Sequence, residues 1–125
     1  MSARVLVVDD EEITHVFFKK ELERAGYEVE RALSGEEALE KVRAATYDVI
    51  FIDAIMPGAD GVETCRLIKK MNPDSVLIFM TGKLRPDPIL KEAAFLQAGG
   101  KVYSLYKPFA DGEILEITQK ALAEK

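Results

Sequence analysis

The chain has no tryptophan, one cysteine, one histidine and five prolines in 125 residues. A lone cysteine, Cys65, cannot form an internal disulfide or a cysteine cluster for metal, which fits a reducing cytoplasm. With one histidine there is no Cys/His set for zinc. No basic excess exists either. Seventeen Lys and Arg stand against 22 Asp and Glu, a net charge of −5, which argues against direct nucleic-acid binding. No apolar run approaches the ~20 residues of a membrane span. The N-terminal MSARVLVV has no small-residue cleavage site beyond its apolar run, so no signal peptide is expected. Repeats, low-complexity segments and linkers are also missing. What is left is ordinary for a soluble globular domain, at 48% hydrophobic and 31% charged residues, and a single domain spanning 1–125 is expected.

Strand and helix signals alternate along the whole chain. Strands are expected at Arg4 to Val8 and at residues 48 to 52, where Val5 to Val8 and Val49 to Ile52 are continuous apolar runs, the pattern of strands buried on both faces. Residues 27 to 32 (YEVERA) alternate, which suggests a strand near a sheet edge. Ser75 to Met80 and Val102 to Tyr106 complete five strands. Helices are expected over 11–25, from Ser34 to about Ala45, over Asp60–Met71, Asp87–Ala98 and Asp111–Ala123. Ser34 with Glu37 and Asp60 with Glu63 form capping boxes, and Gly26 stops the first helix. On the first helix Phe18, Leu22 and Ala25 share one stripe. Phe17 is expected in or near the core, and His15 on the exposed polar side. This order implies an α/β fold, a parallel sheet with right-handed crossovers and helices on both faces.

In such a sheet all strand C-termini reach one edge, where open α/β folds keep their chemistry. Those ends carry Asp9 and Asp10, Ala32, Asp53, Thr81 and Lys107. Four acids in a row at 9–12 are not a phosphate cradle, which would need backbone donors and small residues. Crowded carboxylates instead attract a hard cation, Mg²⁺ or Mn²⁺ on an oxygen-only donor set. Lys107 adds a point charge and Thr81 a hydroxyl. Around Asp53 as in-line nucleophile, this set suits phosphoryl transfer.

These residues resemble the receiver domain of two-component response regulators, including its chemotaxis member. The resemblance covers essentially the whole chain. It rests on the acid pair Asp9-Asp10, on D-x-x-M-P-x-x-D-G from Asp53 to Gly61, on Thr81 followed by Gly82, and on K-P-F at 107 to 109. It implies a flavodoxin-like, five-stranded parallel sheet of order 2-1-3-4-5 with five helices. It further implies that Asp53 accepts a phosphoryl group from the phosphohistidine of a histidine kinase or phosphotransfer protein. Asp9, Asp10, Asp53 and the backbone carbonyl of Ile55 would surround Mg²⁺, Thr81 and Lys107 would contact the phosphoryl oxygens, and the Lys107–Pro108 bond would be cis. The family's usual output face is formed by the fourth helix, fifth strand and fifth helix. Here it would present Lys91, Glu92, Lys101, Tyr103 and Tyr106 to a downstream protein or a second copy, in the cytoplasm and away from membranes. Whether the chain is a stand-alone relay or adaptor, or a domain of a longer protein, stays open.

Three features bear on how closely the chain follows the pattern. Ser104 stands where the family's switch aromatic usually lies, with Tyr103 and Tyr106 nearby. The interval from Thr81 to Lys107 is a few residues longer than usual, with the excess placed at Lys83 to Asp87. Ile55 and Lys83 occupy the two positions that tune dephosphorylation, and apolar Ile55 predicts a long-lived phosphorylated state. The departure at Ser104 keeps open a phosphorylation-independent interaction module with the same fold. An aspartyl-phosphate hydrolase ranks last, because Ile55 stands where its second acid would be. Apart from transfer to Asp53 and slow self-dephosphorylation, no enzyme activity is expected. Asp60 reads as a helix cap and Cys65 as a small helix residue without a redox task.

Overall fold

A computed structural model describes residues 3–53, 61–82, 93–94, 96–100, 106–107 and 109–124. The continuous apolar runs become the middle of a parallel sheet. Its strands are β1 (Arg4–Val8), β2 (Glu28–Ala32), β3 (Val49–Asp53), β4 (Val76–Gly82) and β5 (Tyr106–Lys107), in the order β2-β1-β3-β4-β5. All pairings are parallel, and β5 joins β4 through two residue pairs, Thr81 with Tyr106 and Gly82 with Lys107. The alternating YEVERA stretch takes the edge, as its pattern suggests.

Four complete helices lie among the described residues: α1 (Glu12–Arg24), α2 (Gly35–Ala44), α3 (Gly61–Met71) and α4 (Glu113–Ala123). The helix expected over Asp87–Ala98 is described only in its last turns. Residues 93–94 and 96–97 are helical, and the Gly99 amide closes the end on the Leu96 carbonyl at 3.1 Å. Five full helices are therefore not seen among the described residues. Gly26, at φ +94°, ends α1 as its spacing predicts. The C-terminal helix starts two residues later than expected, because Gly112 at φ +81° occupies the cap position in a left-handed conformation open chiefly to glycine.

Period two sorts the strand residues onto two faces. Leu6, Val8, Ile50, Ile52, Leu77 and Phe79 pack with Ala38 and Val42 of α2 and with Val62, Cys65 and Ile68 of α3. Val5, Val7, Val49, Phe51, Val76, Ile78 and Met80 pack with Phe18 and Leu22 of α1 and with Ile114, Ile117 and Ala121 of α4. Phe18 meets Phe51 and Phe109 edge-on, at 4.8 and 5.6 Å between ring centres. Each such side chain contributes about 1.5–3 kcal/mol on leaving water.

The β2 edge is guarded by charge rather than by packing. Glu30 accepts hydrogen bonds from Arg4 at 2.7 Å and from the Tyr47 hydroxyl at 2.9 Å. Burial, then the Glu30 bond, pushes the Tyr47 hydroxyl up to about 12. At the start of α2 the Ser34 cap forms as expected, its Oγ accepting from the Glu37 amide at 3.1 Å, whereas the Glu37 carboxylate accepts from the Leu33 amide, one residue before the cap. The Asp60 cap lies outside the described residues.

Two expectations for α1 are corrected. His15 is buried at 6% exposure, whereas Phe17 is 53% exposed. The buried face runs through Thr14, His15, Phe18 and Leu22. Residues 14 and 15 stand one turn before Phe18, so they continue its stripe toward the sheet's C-terminal edge. Phe17 is turned away with Ile13 and Val16, themselves 56% and 57% exposed.

Candidate functional site

The site is built on the turn from β1 into α1. Val8 is the last strand residue, and the Asp9 amide extends the ladder by donating to the Ala32 carbonyl of β2 at 3.0 Å. One Asp9 carboxylate oxygen then accepts from the Glu11 amide at 2.9 Å, a short-range turn that competes with helix and so delays its start. Glu11 is the N-cap of α1 and makes no side-chain cap bond. The Asp9 carbonyl lies 2.7 Å from Nε2 of His15. Since a carbonyl only accepts, the imidazole donates from Nε2.

Asp53 ends β3. Val8 is level with Ile52, so Asp9 and Asp53 follow side by side on neighbouring strands. Both are fully buried, while Asp10 is exposed. One carboxylate oxygen from each of Asp9, Asp10 and Asp53 falls within 4.8 Å of the other two. Two unit charges 4.8 Å apart at an effective dielectric of 20 repel by about 3.5 kcal/mol, and closer ones by more. A divalent cation among the three reverses the sign. The donors are all oxygens, two are held in a water-poor pocket, and the exposed third leaves an entry side, which fits a hard cation.

Thr81 and Lys107 are placed by backbone register. Met80 is the partner of Asp53, so Thr81 is the next residue along β4, and Lys107 is paired with Gly82 on β5. Both stand on the same sheet edge as the acids, Thr81 on the adjacent strand and Lys107 on the one beyond. The Ile55 carbonyl, the Lys107–Pro108 bond, Tyr103, Ser104, the interval Lys83 to Asp87, and the output positions Lys91, Glu92 and Lys101 lie outside the described residues.

Sequence reasoning missed His15 as a neighbour of the acids. The usable signal was its distance of three residues from Phe18 and seven from Leu22, which puts it on the buried stripe in spite of its polarity. Cys65 meets its expectation as a packed helix residue. It is buried, its sulfur donates to the Ala98 carbonyl at 3.8 Å, and burial pushes its thiol up to about 12. A thiol held protonated is a poor nucleophile. No helix is long and apolar enough to cross a membrane, among the described residues.

Comparison with known proteins bears on the family and the fold. The profile of the response regulator receiver domain matches residues 5–119. The response regulator MprA of Mycobacterium ulcerans is 37% identical over 115 residues, covering 92% of this chain and 48% of MprA. The uncharacterized transcriptional regulatory protein YrkP of Bacillus subtilis is 39% identical over 114 residues, 91% of this chain and 47% of YrkP. The chain thus spans about half the length of these relatives. Among solved structures, the chemotaxis protein CheY4 of Vibrio cholerae superposes with a TM-score of 0.84 at 31% identity, covering 98% of this chain and all of that one. A CheY-like receiver domain protein of Methanospirillum hungatei superposes with a TM-score of 0.89 at 29% identity, covering 99% of this chain and 96% of that one. With an acid cluster built at the C-terminal edge of a parallel sheet and a receiver profile running almost end to end, the chain belongs to the receiver-domain family of response regulators.

Proposed function

We propose that the chain is a phospho-accepting receiver of a two-component phosphorelay, with Asp53 as the acceptor. The observation that carries this reading is the burial of Asp53 with carboxylate oxygens of Asp9 and Asp10 within 4.8 Å. A cation among the three carboxylates offsets their mutual repulsion, and the Asp53 carboxylate is the nucleophile. Its oxygen forms the bond to phosphorus as the donor's nitrogen–phosphorus bond breaks, and the donor imidazole leaves with the bonding electrons. Asp9, Asp10, Asp53 and the Ile55 carbonyl hold Mg²⁺, or Mn²⁺ in its place. The cation supplies charge neutralisation at the phosphoryl oxygens. Thr81 and Lys107 take the remaining phosphoryl oxygens, consistent with their register on β4 and β5. Within this reading the whole chain is one receiver domain, complete with five strands and five helices. It turns over no other substrate and works in the cytoplasm.

The phosphodonor is a histidine kinase or phosphotransfer protein. Its docking face is argued from α1, where Ile13, Val16 and Phe17 are more than half exposed within a turn or two of the acid pair. Exposed apolar side chains grouped beside a reaction edge fit a protein partner better than a small-molecule donor. The downstream partner, a second protein or a second copy, is assigned to the face formed by the helix expected over Asp87–Ala98, β5 and the C-terminal helix α4.

Incubation with acetyl phosphate and Mg²⁺ followed by intact-mass measurement tests the reading. One added phosphoryl group is expected in the parent chain and none in Asp53→Ala. Without a gain from any small donor or kinase, the same fold is better read as a phosphorylation-independent interaction module. Turnover of many equivalents of a phosphate ester would identify a hydrolase instead. Apolar Ile55 offers no group to orient an attacking water, so the phosphorylated chain decays over minutes or longer once the donor is removed. Complete decay within seconds sinks that part.

A further inference from the structure

A buried imidazole, His15, stands beside the acids at this edge. It sits in the first turn of α1, at 6% exposure, with its Nε2 2.7 Å from the Asp9 carbonyl. Packing alone accounts poorly for an imidazole there. Its Nδ1 is buried and has no hydrogen-bond partner among the described residues, and an apolar side chain of similar size would avoid that desolvation cost. The ring continues the stripe of Phe18 and Leu22, where a leucine would fill the space. What a leucine lacks is the donor.

That donor acts on the residue that leads the acid cluster. Asp9 is held at three atoms: its amide by Ala32, one carboxylate oxygen by the Glu11 amide, and its carbonyl by His15. The carbonyl belongs to the peptide linking Asp9 to Asp10, so fixing it fixes that peptide plane. With the plane fixed, the exposed Asp10 carboxylate is aimed back toward the buried pair. α1 makes no side-chain cap bond of its own, which leaves the His15 bond as a brace from the helix to this turn.

We propose that His15 is a positioning residue for the cation-binding acids, preorganising Asp9 and Asp10 through the Asp9 carbonyl. This rests on the reading of the acid cluster as an Mg²⁺ site. Residues that orient ligands from outside the coordination shell typically govern metal affinity by about tenfold or more.

The test is calorimetric titration of Mg²⁺ into the parent chain, His15→Leu and His15→Gln, with circular dichroism to check each fold. The glutamine amide carries a donor near the position of Nε2, whereas leucine keeps the bulk and loses the donor. About tenfold weaker Mg²⁺ binding is expected for His15→Leu, with His15→Gln within about twofold of the parent. In acetyl phosphate reactions, the Mg²⁺ concentration giving half the maximal rate rises by the same factor in His15→Leu, while the rate at saturating Mg²⁺ is kept. His15→Met serves as the donor-free variant if His15→Leu does not fold, under the same criteria. The proposal is overturned if the donor-free variant binds Mg²⁺ like the parent, or if His15→Gln is as weak as the donor-free variant. A parent chain that takes up no Mg²⁺ overturns both this proposal and the reading on which it rests.

Discussion

The two helical layers of this domain follow different rules. On one side of the sheet, α2 and α3 bury Ala38, Val42, Val62, Cys65 and Ile68. α2 opens with the Ser34 side-chain cap, and Arg66 pairs with Glu63 along α3. On the other side, α1 buries Thr14 and His15 and exposes Ile13, Val16 and Phe17. The first layer buries one polar side chain, Thr64 of α3, among its apolar ones. In the second, α1 follows directly on the acid pair, where it holds a polar turn on its inner face and, on the proposed reading, receives a partner on its outer one. The amphipathic pattern inverts where those two demands meet.

The strongest test of the comparison asks whether the α1 layer is anchored as firmly as its neighbour in spite of that inversion. Phe18 is fully buried against Phe51 and Phe109. Phe18→Ala is expected to cost about 3–5 kcal/mol, read from the shift in urea midpoint. A loss under about 1 kcal/mol, far below the usual range for a buried aromatic, would mean the α1 layer is loosely docked.

A smaller effect marks the other layer. Burial raises the Cys65 thiol from 9.0 to about 12. The folded chain therefore keeps a proton that the unfolded chain loses. The contribution is whole below pH 9 and shrinks as pH rises from 9 toward 12. The Tyr47 hydroxyl, raised from 10.0 to about 12, adds to the decline from pH 10 upward. The urea midpoint should fall over this range, and less steeply in Cys65→Ala. An equal slope in both chains would show that the thiol is not held protonated.

The smallest effect on stability separates the two faces of α1. Phe17→Ser should change folding free energy by less than about 0.5 kcal/mol, as surface substitutions do. On the proposed reading it should slow phosphoryl transfer from a histidine-containing donor protein severalfold, and leave transfer from acetyl phosphate unchanged. Equal rates with both donors would remove α1 from the docking face.

Most of the architecture could be read along the chain, for an identifiable reason. The runs at 5–8 and 49–52 are apolar at every position because strands in the middle of a parallel sheet are covered on both sides. Their ends are marked by the first charge that burial would penalise, Asp9 after one and Asp53 in the other. Gly26, Ser34 and Glu37 announce helix ends through their own backbone and side-chain chemistry. The start of the last helix was less legible. Asp111 looks like a cap, but the left-handed turn at Gly112 moves the first helical residue to Glu113.

At the site, residue identity and order were legible while proximity was not. Asp9 and Asp53 are 44 positions apart, and only the pairing of Val8 with Ile52 brings them level. His15 shows the same limit from the other direction. Its polarity argues for solvent, and the carbonyl that satisfies it belongs to a turn whose path depends on where α1 docks. The sequence by itself determined which residues carry charge and where each strand must stop, because burial and backbone preference act locally. The tertiary structure decided which of those groups meet, and which face of α1 turns inward. Those outcomes depend on strand register and helix docking, which sum contacts between residues far apart in the chain.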